Sequence, residues 1–221
     1  QLCSSFSFAQ QADKLIKKGE KKDVAIMTII KRYIKESKNI RFEGNGYSDE
    51  WEKEAARRGL ANVKTTPPAL DAFVTDKAKH LFESNEIYNH AELEARHEIM
   101  LESYIKKVQI EARVMGDLAT TFVLPSAVKY QNVLINNIKG LKEVGLSESA
   151  YANQKQVLEA ISVHINDISD NVEKMIEERK KANEITDTRD KAIAYCDKVK
   201  EKYFDVIRSH VDRLELLVDD S

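Results

Sequence analysis

The sequence predicts a mostly α-helical protein: an elongated bundle of long antiparallel helices, with a short extended, turn-like segment near residues 40–47. Three observations predict it. After Asn89 the apolar residues recur at alternating spacings of three and four, the period of a helix with one buried face. Helix-interrupting residues are few, three prolines and seven glycines in 221 residues. Charged residues make up 33% and hydrophobic ones 42%, which suits long solvated helices with a shared core better than a disordered chain.

From Val24 to Ile34 the residues Val24, Met27, Ile30 and Ile34 form a helical stripe on a basic background, with Ile26, Ile29 and Tyr33 alongside. "NIRF" (39–42) then turns extended and leads into "GNGYSDEW" (44–51), which holds two of the glycines and the one tryptophan. Ser48 is an expected N-cap, with Asp49 and Glu50 in the first turn where the helix dipole favours negative charge. Gly46 is expected at positive φ, and Trp51 is expected to anchor this short helix onto the long ones that follow. The helix should reach Arg57-Arg58 and stop at Gly59. Thr65-Thr66-Pro67-Pro68 forces an extended connection, after which Pro68 can open another short helix.

Asn89 with Glu92 reads as a capping box. The following seam is Leu101, Ile105, Val108, Ala112, Met115, Ala119 and Phe122, ended or kinked near Pro125. A helix from about Ser126 presents Tyr130, Leu134 and Ile138 and ends among Gly140 and Gly145. Ser147 is expected to cap the next helix, whose seam is Leu158, Ile161, Ile165, Ile168, Val172 and Met175. After a turn near Thr186 and Asp187, the last helix carries Cys196, Val199, Tyr203, Val206 and His210, then Val211, Leu214 and Val218. Long helices joined by short polar turns pack antiparallel. The seams read as intramolecular core, with an exposed partner-binding stripe as the lesser alternative.

A chain of this length can hide about 70% of its unfolded surface without a staple. Cys3 and Cys196 are too few and too far apart for a disulfide framework and read as reduced thiols. Lys plus Arg (35) nearly balances Asp plus Glu (37), so no nucleic-acid partner is expected. No run approaches the roughly 18 apolar residues of a membrane span. The chain begins at Gln1 without a basic-then-apolar leader, which reads as a cut piece or processed start and not as a signal peptide.

Candidate chemistry is sparse. Glu94-x-x-His97 is half of the pattern with which four-helix bundles hold two irons. The residues three before His80, His90, His164 and His210 are Lys77, Ile87, Ile161 and Ile207, so the second half is missing. Gly44-x-Gly46 could begin a dinucleotide fingerprint, but Asp49 stands where the third glycine belongs, and no P-loop follows. Neither a Gly-x-Ser-x-Gly elbow nor a His-Glu-x-x-His helix occurs. Lysine-rich runs such as 17–22 and 179–181 are interleaved with acids and read as solvated faces. No residue is therefore expected to act in catalysis, cofactor binding or metal ligation.

Certain motifs resemble a known family. "GNGYSDEW", "EAARRGL" (54–60), "KTTP" (64–67) and "AELEARHEIMLESYIKKVQIEA" (91–112) occur in the order and spacing of the C-terminal region of type III glutamine synthetases. Leu124-Pro125 and Tyr130-Gln131 continue the likeness, and "RSHVDRLELLVDD" (208–220) does so weakly. The resemblance covers about residues 40–135 well and the rest loosely, and the family typically continues into a short tail where this chain stops at Ser221. It implies a parent enzyme that joins ammonia to glutamate through an acyl phosphate, using ATP and magnesium or manganese. The family's substrate, nucleotide and metal ligands lie upstream, and none of their motifs is present here. The expectation is thus a cytoplasmic, homo-oligomeric parent. In it, residues 1–46 would form the junction with an upstream catalytic domain and residues 47–221 a structural helical domain, inactive alone. The alternative is a free-standing helical-bundle interaction protein that shares these motifs.

Overall fold

The computed structural model describes residues 2–218, with side chains from Ser7 onward, so the expectation for Cys3 lies outside the described side chains. Among the described residues the regular structure is helical throughout, as the periodicity predicts, and it divides into two compact units after His97.

In the first unit α1 (Leu2–Lys17) and α2 (Lys22–Glu36) are joined by a tight turn with Gly19 at φ 97°. Gln11 donates to the Tyr33 hydroxyl at 2.7 Å, and Phe8 meets the Tyr33 ring edge-on. The buried face of α2 is Ala25 and Ile29, while Val24, Met27 and Ile34 are exposed, so the predicted stripe points the other way. A small residue at 25 lets the helices approach closely, and that contact outweighs the count of larger side chains.

A 3-10 turn (Ser37–Ile40) precedes the extended Arg41, and α3 (Asp49–Arg58) follows the glycine pair. Ser48 caps α3 by accepting from the Trp51 N–H, and Gly59 ends it at φ 65°, both as expected. Gly46 is not at positive φ, contrary to expectation. The bend is made by Asn45 instead: its side-chain oxygen accepts from the Tyr47 N–H at 3.0 Å, and its carbonyl from the Ser48 hydroxyl at 2.8 Å. Gly44 is the glycine that space requires, because a Cβ there would lie 2.6 Å from the Phe42 ring. Trp51 packs on that same Phe42, centroids 5.0 Å apart. Glu54 aligns Arg57 and Arg58, and Arg58 reaches back to the carbonyls of Asn39 and Arg41 at 3.2 and 2.5 Å.

Thr65 is extended and Pro68 sits in a first helical turn as expected, but α4 (Thr66–Leu70) already takes in Thr66 and Pro67; a 3-10 turn leads to α5 (Asp76–Ser84), capped by Thr75. The capping box is formed reciprocally: Asn89 N–H donates to Glu92 and Glu92 N–H to Asn89, both at 2.9 Å.

The second unit is built on three helical lines. The first is α6 (His90–Leu118), whose early residues belong to the first unit, continued by a π-helical turn (Ala119–Val123) into α7 (Leu124–Glu143). Pro125 does not end this line: the wider turn, with Leu124 N–H donating to the Ala119 carbonyl five residues back, absorbs the proline. A turn with Gly145 at φ 83° reverses the chain into α8 (Ala152–Glu184). Ser147 makes no capping hydrogen bond, because a 3-10 turn (Glu148–Ala150) intervenes and its hydroxyl pairs with Ser149. The third line is α9 (Thr188–Ala194), capped by Asp187, a second π-helical stretch (Tyr195–Lys200), and α10 (Glu201–Glu215).

Cross-contacts fix the packing as antiparallel between neighbours. Gln109 donates to Asn183 at 3.2 Å, Gln131 to Ser162 at 2.7 Å and Asn137 to Gln154 at 2.7 Å, stepping in opposite directions along the two lines. Gly116 lies against Val172 and Met175. Tyr195 donates to Asn183 at 2.6 Å, and His210 meets His164 further back along α8. The core runs through Leu101, Val108, Ala112, Ile161, Ile168 and Met175. Two seam positions depart from expectation. Phe122 is 64% exposed and Val206 39% exposed. Phe122 lies within the first π-helical stretch, whose wider turn carries it off the line that Ala119 keeps buried, whereas on α10 the buried line steps by four from Tyr203 to Ile207 and leaves Val206 on its flank. The buried lines run on through Ala127 and Leu134, and through Val199, Tyr203, Ile207 and Leu214.

Candidate interaction surface and a histidine pair

An apolar stripe runs along the outside of α6. Ile110 (61% exposed), Val114 and Leu118 are spaced by four, and Phe122 continues them into the π turn. Leu101, Val108 and Ala112 already fill the inward face, so this second stripe has no cover within the unit. Opposite it, Phe204, Ile207 and Val211 of α10 close a cavity of about 520 Å³. A second cavity of about 650 Å³ lies between α7 and α10, bordered by Ala127, Tyr130, Val133, Leu214 and Val218. Both include Val123, Arg208 and Val211, so they form one groove astride α10; its α6 side is apolar apart from Glu111 and Arg208, and its α7 side also carries Ser126, Lys129, Tyr130 and Glu215. An exposed apolar strip of this extent is the usual mark of an interaction site. The sequence reading assigned its Phe122 to the core; the spacing Ile110, Val114, Leu118 was the signal that a second face existed.

The candidate ligands Glu94 and His97 are not brought together. Glu94 pairs with His90 at 3.0 Å and Lys79 at 3.3 Å, whereas His97 turns to Asp71 at 3.3 Å. The structure instead joins residues that sequence reasoning set apart. His164 and Asp167 lie one turn apart on α8, and His210 comes from α10. The His164 and His210 Nδ1 atoms are 3.0 Å apart, and Asp167 Oδ2 is 3.6 Å from His210 Nδ1. Partial burial lowers the His164 pKa, with His210 and Arg213 adding repulsion and Asp167 opposing them. This is the single grouping of three His, Cys, Asp or Glu side chains with mutually close ligand atoms among the described residues. Its two imidazoles and one carboxylate do not make the oxygen shell that magnesium takes. The sequence signal was present: both histidines stand on or beside seams of helices expected to pack together. The acid of the di-iron pattern stands three residues before its histidine, whereas Asp167 stands three after His164.

A sequence profile described as the glutamine synthetase C-terminal domain matches residues 25–142, more than half of the chain. The chain belongs to the glutamine synthetase C-terminal domain family. It is similar to a glutamine synthetase of Bacteroides fragilis, 43% identical over 217 residues, which covers 96% of this chain and 30% of that protein. A glutamine synthetase of Butyrivibrio fibrisolvens is 28% identical over 200 residues, 90% of this chain and 28% of that protein. A type-3 glutamine synthetase of Dictyostelium discoideum is 30% identical over 164 residues, 74% of this chain and 22% of that protein. The chain thus spans less than a third of the length of these glutamine synthetases. No helix among the described residues is long and apolar enough to cross a membrane.

Proposed function

We propose that this chain is the non-catalytic helical region of a type III glutamine synthetase, and that the groove astride α10 is covered by another part of the assembled enzyme. The observation that carries the reading is the uncovered stripe Ile110, Val114, Leu118 and Phe122, in a chain whose relatives are more than three times its length. Each large apolar side chain left in water forgoes roughly 1.5–3 kcal/mol of burial. A stripe of four on a rigid helix is therefore a surface prepared for a partner, and the remaining two-thirds of such an enzyme could supply it. In this reading residues 1–46 lead in from the catalytic part. That part holds the ligands for glutamate, ATP and magnesium or manganese, and the whole enzyme is a cytoplasmic homo-oligomer.

The test is Val114→Asp with Phe122→Asp in the full-length enzyme, followed by sedimentation and glutamine formation. Loss of the native assembly places a neighbouring subunit on the groove. Loss of turnover with assembly intact places the catalytic part there. If both assembly and turnover are unchanged, the groove has no such role and the reading fails. The 221-residue chain alone should form no glutamine from glutamate, ammonia and ATP; turnover by a pure sample would overturn the non-catalytic assignment.

A further inference from the structure

We infer that His164, Asp167 and His210 form a binding site for a divalent transition-metal ion of the zinc type, tying α8 to α10. A tetrahedral zinc with bonds of about 2.0–2.1 Å sets its donor atoms about 3.3 Å apart. The Nδ1–Nδ1 distance of 3.0 Å and the Nδ1–Oδ2 distance of 3.6 Å bracket that value, and all three donor atoms lie within 4.8 Å of one another. Little side-chain movement is needed to close them on one ion. Three protein ligands leave a fourth position for water, which Asp167, 45% exposed, keeps open to solvent. Two donors one turn apart on a single helix form a rigid half-site, and α10 adds the third from across the interface.

The donor set selects the class of ion. Imidazole nitrogen favours zinc, nickel and copper over magnesium and calcium, which require mostly oxygen ligands. The carboxylate offsets part of the positive charge that Arg213 contributes nearby. In the absence of an ion the two facing Nδ1 atoms share one proton, donated by whichever ring carries it. Metal binding moves that proton to Nε2, so that both Nδ1 lone pairs reach the ion and no net proton need be lost.

The experiment uses the 221-residue chain, stripped with a chelator, then titrated with Zn²⁺ by calorimetry and with Co²⁺ by visible absorption. One equivalent should bind, the cobalt spectrum should be that of a tetrahedral centre, and Tm should rise with Zn²⁺ concentration. His164→Ala and His210→Ala should each weaken binding by more than the roughly 10–100-fold lost when an outer-shell partner of a metal site is removed. His97→Ala should change nothing. Asp167→Asn, at a half-exposed position, keeps the shape of the site and supplies the same readout if a histidine variant fails to fold. Binding that is absent, not one-to-one, stronger for Mg²⁺, or unaltered in these variants overturns the site and leaves a proton-sharing histidine pair.

Discussion

Gly44→Ala and Gly46→Ala, compared side by side, test how the bend before α3 is made. The side chain added at Gly44 meets Phe42 Cζ at 2.6 Å and Cε1 at 2.7 Å, whereas one added at Gly46 meets nothing within 4 Å. Neither position is at positive φ, so backbone strain does not enter either variant. Both replacements also remove a similar amount of unfolded-state freedom, a stabilisation of about 0.4–1 kcal/mol that cancels in the difference. What remains is the collision. The partly exposed Phe42 ring can swing aside, which limits the overpacking cost but breaks its contact with Trp51. A tilted ring pair of this kind is worth about 0.5–1.5 kcal/mol. With residual crowding, Gly44→Ala should come out about 1–2 kcal/mol less stable than Gly46→Ala. Trp51 is the one tryptophan, so its emission reports this locality during urea unfolding. Gly44→Ala should also shift that emission to the red in the folded protein. If Gly46→Ala proves the more destabilised, or the emission does not move, the bend depends on glycine freedom at residue 46 and the close-approach argument is wrong.

Ile168→Ala, at a fully buried position on α8, should cost about 2–5 kcal/mol, whereas Phe122→Ala should cost under about 1 kcal/mol in the isolated chain, read from paired thermal melts. Equal losses would put Phe122 back in the core. Glu92→Ala removes half of the capping box and should cost about 0.5–2 kcal/mol, seen as earlier amide exchange at the start of α6. Hydrogen bonds from Arg57 and Arg58 hold the Glu54 carboxyl down to about 2, below the roughly 4.3 of an unfolded glutamate. Its folded pKa being the lower one, the stability it contributes is present above about pH 4.3 and fades as pH falls towards 2. The gap between wild type and Glu54→Gln should therefore close across that window, and a gap that stays constant would show that the carboxylate carries no net benefit.

The parts of this fold that were legible in the sequence are those decided within one turn of chain. Ser48 to Trp51 and Asn89 to Glu92 are hydrogen bonds between residues three apart, and residue type alone nearly settles them. Helix identity and the antiparallel packing followed from period and turn length. The errors share a different cause. Phe122 continues the three–four spacing without a break yet falls inside a π turn that carries it outward, and Val206 loses its place because the buried line steps by four from Tyr203 to Ile207. Such a turn is chosen by packing against another helix, and by Pro125 in the first case, so periodicity read along one strand of sequence cannot see it. Gly46 failed because Asn45 performs the turn with its side chain. The histidine pair was hidden for the same reason as the π turns: its members stand 46 residues apart, and only the register between α8 and α10 joins them.

That register has an unusual guarantor. Apolar side chains make up the buried core among the described residues, and a greasy seam alone would tolerate sliding by a turn. What indexes the first two helical lines is a set of uncharged rungs: Gln109 with Asn183, which Tyr195 also grips, then Gln131 with Ser162, then Asn137 with Gln154. The ion pairs within this unit mostly link neighbours on a single helix, such as Lys181 with Glu178 and Arg208 with Asp212. Ions in solution weaken charge pairs of that exposed kind but leave amide and hydroxyl rungs untouched. The helices should therefore hold their alignment across wide swings of ionic strength, so that a partner reading the groove meets the same spacing of side chains in dilute buffer and in brine.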